Sequence, residues 1–232
     1  TLKELPPALF VSIARTVLGT IFTVFAASFP AYAFTRNEYW GRKFFYRFVV
    51  VTMYFSAGLI PLFLTYRTIG IYNTFWVYII PGIVTPFNLI LCKTYIESLP
   101  ASLEESAEID GAGYLVRYFR LILPLSKPIL ATVSVFSAVG QWNNWMDTVL
   151  YTKDKSLQTL QYVLYRYLNE ANTLAEIARE DPSAMNADLA TQLSPLTIKY
   201  TISIVTILPI LLVYPFFQKY FVKGIMIGAV KG

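Results

Sequence analysis

Five long stretches without a charged residue constrain the fold of this chain more than any other feature. They lie at 16–35, 48–66, 68–92, 128–146 and 200–218, and the shortest of them has 19 residues. An α-helix needs about 20 apolar residues to cross a hydrocarbon core of about 30 Å. Core helices of soluble enzymes seldom stay uncharged for so long, and membrane β-strands would alternate in polarity. We therefore predict an all-α, polytopic membrane protein with five spanning helices.

The expected helices cover about residues 8–34, 44–64, 72–92, 128–150 and 195–217. The fourth helix must continue past Gly140, because a helix that ended there would be too short to span. Ser194 and Pro195 supply an N-cap and a first helical residue for the fifth. Polar segments at 94–126 and 151–193 connect the spans. We see no internal repeat and no linker, so residues 1–232 are expected to form a single transmembrane domain.

Lysine and arginine are distributed unevenly between the two sides of these helices. Eleven of the 19 lie after the first, third and fifth helices, and six lie on the opposite side. The positive-inside rule places segment 94–126 in the cytoplasm and segment 151–193 outside. One cysteine and no histidine make an internal disulfide or a zinc site unexpected, so no metal ligands are assigned.

The cytoplasmic segment is predicted to be a helix, a glycine turn and a second helix. Ser102 with Glu105 three residues later is typical of a capping box. Gly111 and Gly113 then favour a turn, and a short helix over 114–123 is closed by Pro124. Such a rigid loop between two spans can transmit a push from a partner into the membrane.

The same segment resembles the EAA loop of ABC importer permeases. That loop has Glu-Ala-Ala, a glycine four residues after the second alanine, nine arbitrary residues, an aliphatic residue, any residue, and Leu-Pro. Ser106 replaces an alanine and Leu121 an isoleucine, and neither change disturbs the spacing. The C-terminal Val-Lys-Gly further resembles MalG-like sugar permeases, with the LplC/YtcP-like subset the most similar. The matching residues of the loop are Glu105, Ser106, Ala107, Asp110, Gly111, Leu121, Leu123 and Pro124.

The resemblance implies a permease subunit of a carbohydrate importer in the bacterial inner membrane. Its expected partners are a second, MalF-like permease, two ATPase subunits and an extracytoplasmic solute-binding protein. ATP and magnesium belong on the ATPase subunits, since this sequence has no Gly-x-x-x-x-Gly-Lys-Ser/Thr loop; the chain itself is expected to bind no cofactor and to be no enzyme. Because the chain begins at Thr1, the family's first helix is expected to precede it.

The resemblance also implies two contact regions for the ATPase subunits. In the loop, Glu105 and Asp110 are expected to make polar contacts, while Ala107 and Gly111 allow close packing. Leu121 and Pro124 complete the loop. The C-terminal tail is expected to reach the interface between the ATPase subunits through Gly228, Lys231 and Gly232.

A polar stripe on the fourth helix is the candidate solute pathway. Polar side chains recur there at spacings of three and four, and inside a membrane such groups face protein or a water-filled cavity. Two tryptophans flank the stripe, and indole rings can stack on sugars. Hydrogen bonding between helices explains the stripe equally well. The residues concerned are Ser134, Ser137, Gln141, Trp142, Asn144, Trp145 and Thr148. In the external loop, a helix with Gln158, Gln161, Tyr162 and Tyr165 is expected to face the binding protein.

Other functions fit the sequence less well. A secondary transporter would be expected to carry acidic residues within its spans, and only Asp147 comes near a midplane, toward the external end. An embedded enzyme would need a histidine, a cysteine pair or an acidic dyad. An ABC permease for a non-sugar solute remains an alternative.

Overall fold

The computed structural model describes residues 4–180, 200–201, 204–205, 207–212 and 215, and within that part every regular element is helical. This confirms the all-α prediction. Four short helical turns accompany the α-helices. Three are 3-10 turns, at Phe75–Tyr78, Ile80–Gly82 and Lys155–Leu157, and one is a π turn, at Tyr118–Ile122. The α-helices are α1 (Leu5–Thr35), α2 (Arg42–Thr52), α3 (Leu59–Thr68), α4 (Pro86–Glu97), α5 (Ala101–Ile109), α6 (Tyr114–Arg117), α7 (Leu123–Leu125), α8 (Lys127–Asn143), α9 (Met146–Tyr151) and α10 (Leu160–Glu180).

Helix α1 is the central element of the fold. It has 31 residues and packs along α4, α8 and α10. Small side chains recur on its buried face every four residues, except between Ser12 and Gly19, where Arg15 lies, and such residues let membrane helices approach closely. They are Ala8, Ser12, Gly19, Thr23, Ala27 and Ala31.

Within the described residues, α1 is the one helix that is long and apolar enough to cross a membrane by itself. Two bent pairs also qualify if each is taken as one span. Phe75–Gly82 with Pro86–Glu97 bends by 46°, and Tyr114–Leu125 with Lys127–Asn143 bends by 78°. The described residues between 200 and 215 are helical, as predicted for the fifth helix; the rest of 195–217 lies outside the described residues.

The helices expected over 44–64 and 72–92 are interrupted, and glycine and proline explain both breaks. Gly58 has a φ of 82°, a left-handed conformation that separates α2 from α3, and Pro61 lies in the first turn of α3, where a missing N–H costs little. Pro86 is the first residue of α4, and Thr85 before it is extended, as pre-proline residues prefer. Helix α4 therefore begins later than expected and ends at Glu97.

The helix expected over 128–150 stops at Asn143 and restarts at Met146. Asn144 is extended, with φ −79° and ψ 113°. Its side-chain oxygen accepts the N–H of Asp147 at 3.1 Å. Asparagine forms local bonds of this kind at the expense of helix continuity.

Two details of the predicted cytoplasmic segment are wrong. Helix α5 begins directly after Pro100, so Ser102 lies inside the first turn and forms no capping box. Pro100 has a φ of −59°, which suits the residue that precedes a helix. Pro124 does not end the second helix, because the π turn before it relieves the clash of a proline ring with the carbonyl four residues earlier.

Candidate functional site

Helix α5 ends in a Schellman motif centred on Gly111. Gly111 has a φ of 81°. Its N–H donates to the carbonyl of Glu108 and the N–H of Ala112 donates to that of Ala107, both at 2.9 Å. These two bonds satisfy the last carbonyls of the helix, and glycine enters the left-handed region without steric cost. The glycine turn predicted from the sequence is confirmed.

Helix α5 leaves a mixed polar and apolar surface exposed. Glu105 and Asp110 are exposed, and Ala107 is half-buried. Ile109 beside them is 86% exposed. Large apolar side chains in an exposed patch are typical of a protein interaction surface. The residues predicted from the loop pattern therefore lie where a partner can contact them.

The remaining residues of the loop pattern have supporting positions. Leu121 lies half-buried in the π turn, and Pro124 is exposed in α7. The N–H of Leu123 donates to the carbonyl of Tyr118, five residues earlier. Gly228, Lys231 and Gly232 of the tail lie outside the described residues.

Glu104, one residue before the predicted Glu105, is buried against the end of α1. Its carboxylate accepts a hydrogen bond of 2.8 Å from the hydroxyl of Tyr32 and forms an ion pair with Arg36. Arg117 lies 3.8 Å from the same carboxylate and 2.9 Å from that of Glu108. Helix α5 is thereby joined to the end of α1.

A cavity of about 560 Å³ opens between α1, the 3-10 turns before α4, and α8 with α9. Its volume lies within the range of small-molecule sites. Hydroxyl, amide and aromatic side chains share the wall with one arginine and one aspartate. The polar and aromatic lining includes Arg15, Thr23, Tyr66, Tyr78, Asn88, Ser137, Gln141, Asn144, Asp147 and Tyr151.

Arg15 holds the broken fourth helix together from α1. It is 2% exposed. Its Nε donates to Gln141 Oε1 at 2.7 Å, one Nη donates to the carbonyl of Asn144 at 3.1 Å, and the other pairs with Asp147. The guanidinium also lies 4.7 Å from the ring centre of Tyr78. The interruption at Asn144 thus has an internal hydrogen-bond donor, as non-helical backbone at membrane depth requires.

The stripe predicted on the fourth helix divides into two groups. Ser137, Gln141 and Asn144 line the cavity. Trp142 instead packs with Leu160 and Leu164 in a core cluster. Trp145 stacks on Tyr165 with ring centres 3.9 Å apart, and Thr148 is buried and bonded to Tyr78 and Thr159. The two tryptophans therefore pack against α10 and do not line this cavity.

Gln141 combines the two roles considered for the stripe. It lines the cavity, and it also binds Arg15 on α1. Its side chain packs against Gly19, where an added Cβ would lie 2.7 Å from Gln141 Nε2. Interhelical hydrogen bonding and cavity lining therefore coexist in one residue.

On the opposite side, the predicted external helix is part of α10. Tyr162 and Tyr165 are half-buried and Gln161 is buried in its first turns, while Gln158 lies just before it. Arg166 bonds to Glu4 at the start of α1, and this hydrogen bond lowers the pKa of the Glu4 carboxyl. A groove on α10 is lined by Tyr162, Tyr165 and Arg166. The part of segment 151–193 after residue 180 lies outside the described residues.

Sequence reasoning missed Arg15 and Glu104 as functional candidates. Arg15 directly precedes the uncharged stretch 16–35, and Glu104 is one of several acidic residues on α5; neither was assigned a role from the sequence. The sequence signal for Arg15 was its position, which places a charged residue on the small-residue face of α1. A buried charge is stable only with partners, and these come from distant parts of the chain.

Comparisons with known proteins agree with this architecture. The YtcP permease of the polygalacturonan/rhamnogalacturonan transport system of Bacillus subtilis (strain 168) is 40% identical over 228 residues, 97% of this chain and 77% of that protein. The LplC protein of the same organism is 39% identical over 222 residues, covering 96% and 73%. A chain of a bacterial ABC transporter involved in the import of the acidic polysaccharide alginate superposes with a TM-score of 0.81 at 30% identity, covering 94% of this chain and 76% of that one.

The family model described as binding-protein-dependent transport system inner membrane component matches residues 19–227. That match covers α1 from Gly19 onward, most of the cavity wall and the loop that contains α5. The chain therefore belongs to the inner-membrane components of binding-protein-dependent transport systems, as a multi-pass permease subunit and not a catalytic one.

Proposed function

We propose that this chain is the permease subunit through which an ATP-driven ABC importer takes up an oligosaccharide. The observation that carries the proposal is the exposed surface of α5, with Glu105, Ala107, Asp110 and Gly111 presented beside Ile109. This surface would bind an ATPase subunit. Leu121 and Pro124 lie in the segment that links α5 to α8 and would carry the displacement onward.

The proposed assembly contains four kinds of subunit. A second, MalF-like permease pairs with this chain, two ATPase subunits bind ATP and magnesium below the membrane, and an extracytoplasmic protein delivers the solute. Gly228, Lys231 and Gly232 of the tail are proposed to contact the ATPase subunits. ATP binding and release would shift the permease between inward and outward forms through different contacts in the two states.

The carbohydrate assignment rests on the relatives and on the chemistry of the cavity. Permeases with similar sequences serve polygalacturonan and rhamnogalacturonan. In the cavity, Ser137 and Asn144 offer hydroxyl and amide groups, and Tyr66 and Tyr151 offer aromatic rings. Arg15 and Asp147 neutralise each other, so this wall suits many hydroxyls more than a single strong charge. Trp142, Trp145 and Thr148 would support the wall from behind.

Uptake by two loop variants tests the proposal. Glu105→Ala removes an exposed polar contact, and Gly111→Asp places a side chain at a φ of 81°. We expect each to reduce uptake of labelled oligogalacturonide or arabino-oligosaccharide by at least about tenfold, while the subunit stays in the membrane. The matched control is Glu97→Ala, since Glu97 is also exposed on the cytoplasmic side and pairs only locally with Lys93.

Two outcomes would contradict different parts of the proposal. Full uptake by both loop variants would remove the coupling role of α5. Failure of the unaltered transporter to take up either labelled sugar, with a non-sugar solute transported instead, would remove the carbohydrate assignment and leave the coupling role standing.

A further inference from the structure

We propose that Glu104 is a positioning residue that joins the coupling helix α5 to α1, so that movement of α5 is passed along α1 to the cavity. This inference rests on the proposed function and names the route by which it operates. Glu104 is 7% exposed, whereas Glu105 and Glu108 on the same helix are exposed. Its side chain therefore faces the protein and is poorly placed to contact a cytoplasmic partner.

The partners of Glu104 come from α1 and from α6. We call the contact formed by Glu104, Tyr32, Arg36 and Arg117 the joint. From α1 come Tyr32, whose hydroxyl donates to the carboxylate at 2.8 Å, and Arg36, one residue beyond its end. From α6 comes Arg117, at 3.8 Å. One buried carboxylate thus ties α5 to the neighbouring α6 and to the end of α1, which is distant in sequence.

The joint resists separation because the charges of Glu104 and Arg117 are buried. Arg117 is 5% exposed and also binds Glu108. Arg36 lies over the ring of Tyr32, and Arg117 over the ring of Tyr114, at 4.9 and 4.5 Å from the ring centres. Removing one member of a buried ion pair leaves the other uncompensated. A displacement of α5 therefore draws the end of α1 with it.

Helix α1 connects this joint directly to the cavity. It remains one helix across Pro30, and Tyr32 and Arg15 are separated along it by about 26 Å. At the far end Arg15 binds Gln141, Asn144 and Asp147, and Thr23 donates to the carbonyl of Gly82 at 3.3 Å. A shift of α1 would thus move the cavity wall on both α8 and the turns before α4. The covalent route through α6 and α7 reaches α8 only through a 78° bend.

A cysteine in the cavity wall can report on this coupling. Gly140 lines the cavity, and an added Cβ there meets nothing within 4 Å, so Gly140→Cys introduces a reactive thiol without a clash. The native Cys92 is fully buried, and the transporter without the reporter measures its background. The complex purified through this chain is placed in nanodiscs, and the rate of labelling by fluorescein maleimide is measured with and without ATP and magnesium.

We expect Glu104→Gln to reduce the ATP-dependent change in labelling rate by about tenfold, the factor that corresponds to one lost charge-assisted hydrogen bond. The ATPase subunits should still co-purify and hydrolyse ATP, and the labelling rate without ATP should stay the same. A merely structural role would instead alter that basal rate or the yield. Glu97→Gln, the matched control, should behave like the reporter parent.

Tyr32→Phe gives a second measurement if Glu104→Gln fails to assemble. It removes one hydrogen bond from the joint and keeps both arginine pairs, so we expect a twofold to threefold smaller response. An unchanged ATP response in Glu104→Gln, or in Tyr32→Phe where only that variant assembles, would overturn the inference. Absence of an ATPase subunit or of any ATP response in the reporter parent would instead refute the proposed function.

Discussion

Arg15 shows how a single charged residue is accommodated in the N-terminal half of a membrane helix. All three of its guanidinium nitrogens have partners, and these come from the break between α8 and α9. An isolated charge in such a place would be very costly, while a paired and hydrogen-bonded one is tolerated. Gly19, one turn further along α1, leaves the space that Gln141 needs to reach Arg15. The hydrogen-bond network of Arg15 therefore requires a glycine at position 19 as much as it requires the charged residues.

Replacing Gly19 by alanine tests this dependence. The new Cβ would lie 2.7 Å from Gln141 Nε2 and 2.8 Å from its Cδ. Gln141 would have to move and break its bond to Arg15, leaving a buried donor unsatisfied. We expect the free energy of unfolding to fall by about 1–3 kcal/mol, measured as a lower Tm in detergent.

Gly140→Ala is the matched control for that substitution. Gly140 is also a helical glycine beside the cavity, but its Cβ would meet no atom within 4 Å. Alanine is the better helix former by about 1 kcal/mol, so the Tm should stay the same or rise. Equal losses in the two variants would contradict the role assigned to Gly19.

At the scale of elements, the helices are interrupted where local chemistry offers the backbone an alternative. Gly58, Pro86 and Asn144 mark three interruptions. Gly58, Asn144 and Thr85, the residue before the proline, each have a conformation that a regular helix excludes. The π turn at Tyr118–Ile122 is a fourth irregularity, and it packs against the C-terminal part of α1. Tyr118 is fully buried there, with its hydroxyl 2.7 Å from the hydroxyl of Ser28. The π turn is thus held by contacts with α1.

The contact between Tyr118 and Ser28 can be measured with a double-mutant cycle. Tyr118→Phe and Ser28→Ala each remove the same hydrogen bond, and each should lower the free energy of unfolding by about 1 kcal/mol. Because they share that bond, the double variant should lose little more than either single variant. Additive losses would show that the two hydroxyls do not act together.

Tyr95→Phe is the control for this cycle. Tyr95 is half-buried, and its hydroxyl makes a longer contact of 3.4 Å with the carbonyl of Leu125. Its removal should change the Tm much less than removal of the Tyr118 hydroxyl.

At the scale of the whole molecule, the two ends of α1 lie on two chemically different sides of the protein. At one end Tyr32 meets Glu104 of α5, and at the other Ser12 accepts the N–H of Leu160 at the start of α10. Basic residues are concentrated on the α5 side, which the positive-inside rule assigns to the cytoplasm. The 3-10 turn at Lys155–Leu157 then lies outside, together with α10.

Thiol labelling from one side of the membrane tests this orientation. Ser106 on α5 and Ser156 in the 3-10 turn are both exposed. In intact spheroplasts, an impermeant maleimide should label Ser156→Cys and leave Ser106→Cys unlabelled until the membrane is permeabilised. The unsubstituted chain, whose single cysteine is buried, gives the background. The reverse pattern would place α5 outside and would exclude contact with a cytoplasmic ATPase.

Properties that depend on neighbouring residues could be read from the sequence. The uncharged stretches predicted a helical membrane protein because length and polarity alone decide whether a helix can span. The position of α1 was predicted correctly for the same reason. Gly111 was identified as a turn because a left-handed residue at a helix end favours glycine whatever surrounds it. The loop pattern around Glu105 also has a fixed local spacing, and it indicated the family.

Only the tertiary structure decided which charged residues matter inside the protein. Arg15 meets Asp147 across 132 positions of sequence, and Tyr32 meets Glu104 across 72. The sequence could not distinguish Glu104 from Glu105, because helix rotation against α1 determines which of two adjacent carboxylates is buried. Likewise, the break at Asn144 depends on Arg15 to bind the freed carbonyl. Burial and pairing are long-range properties, and they arise only when distant segments pack together.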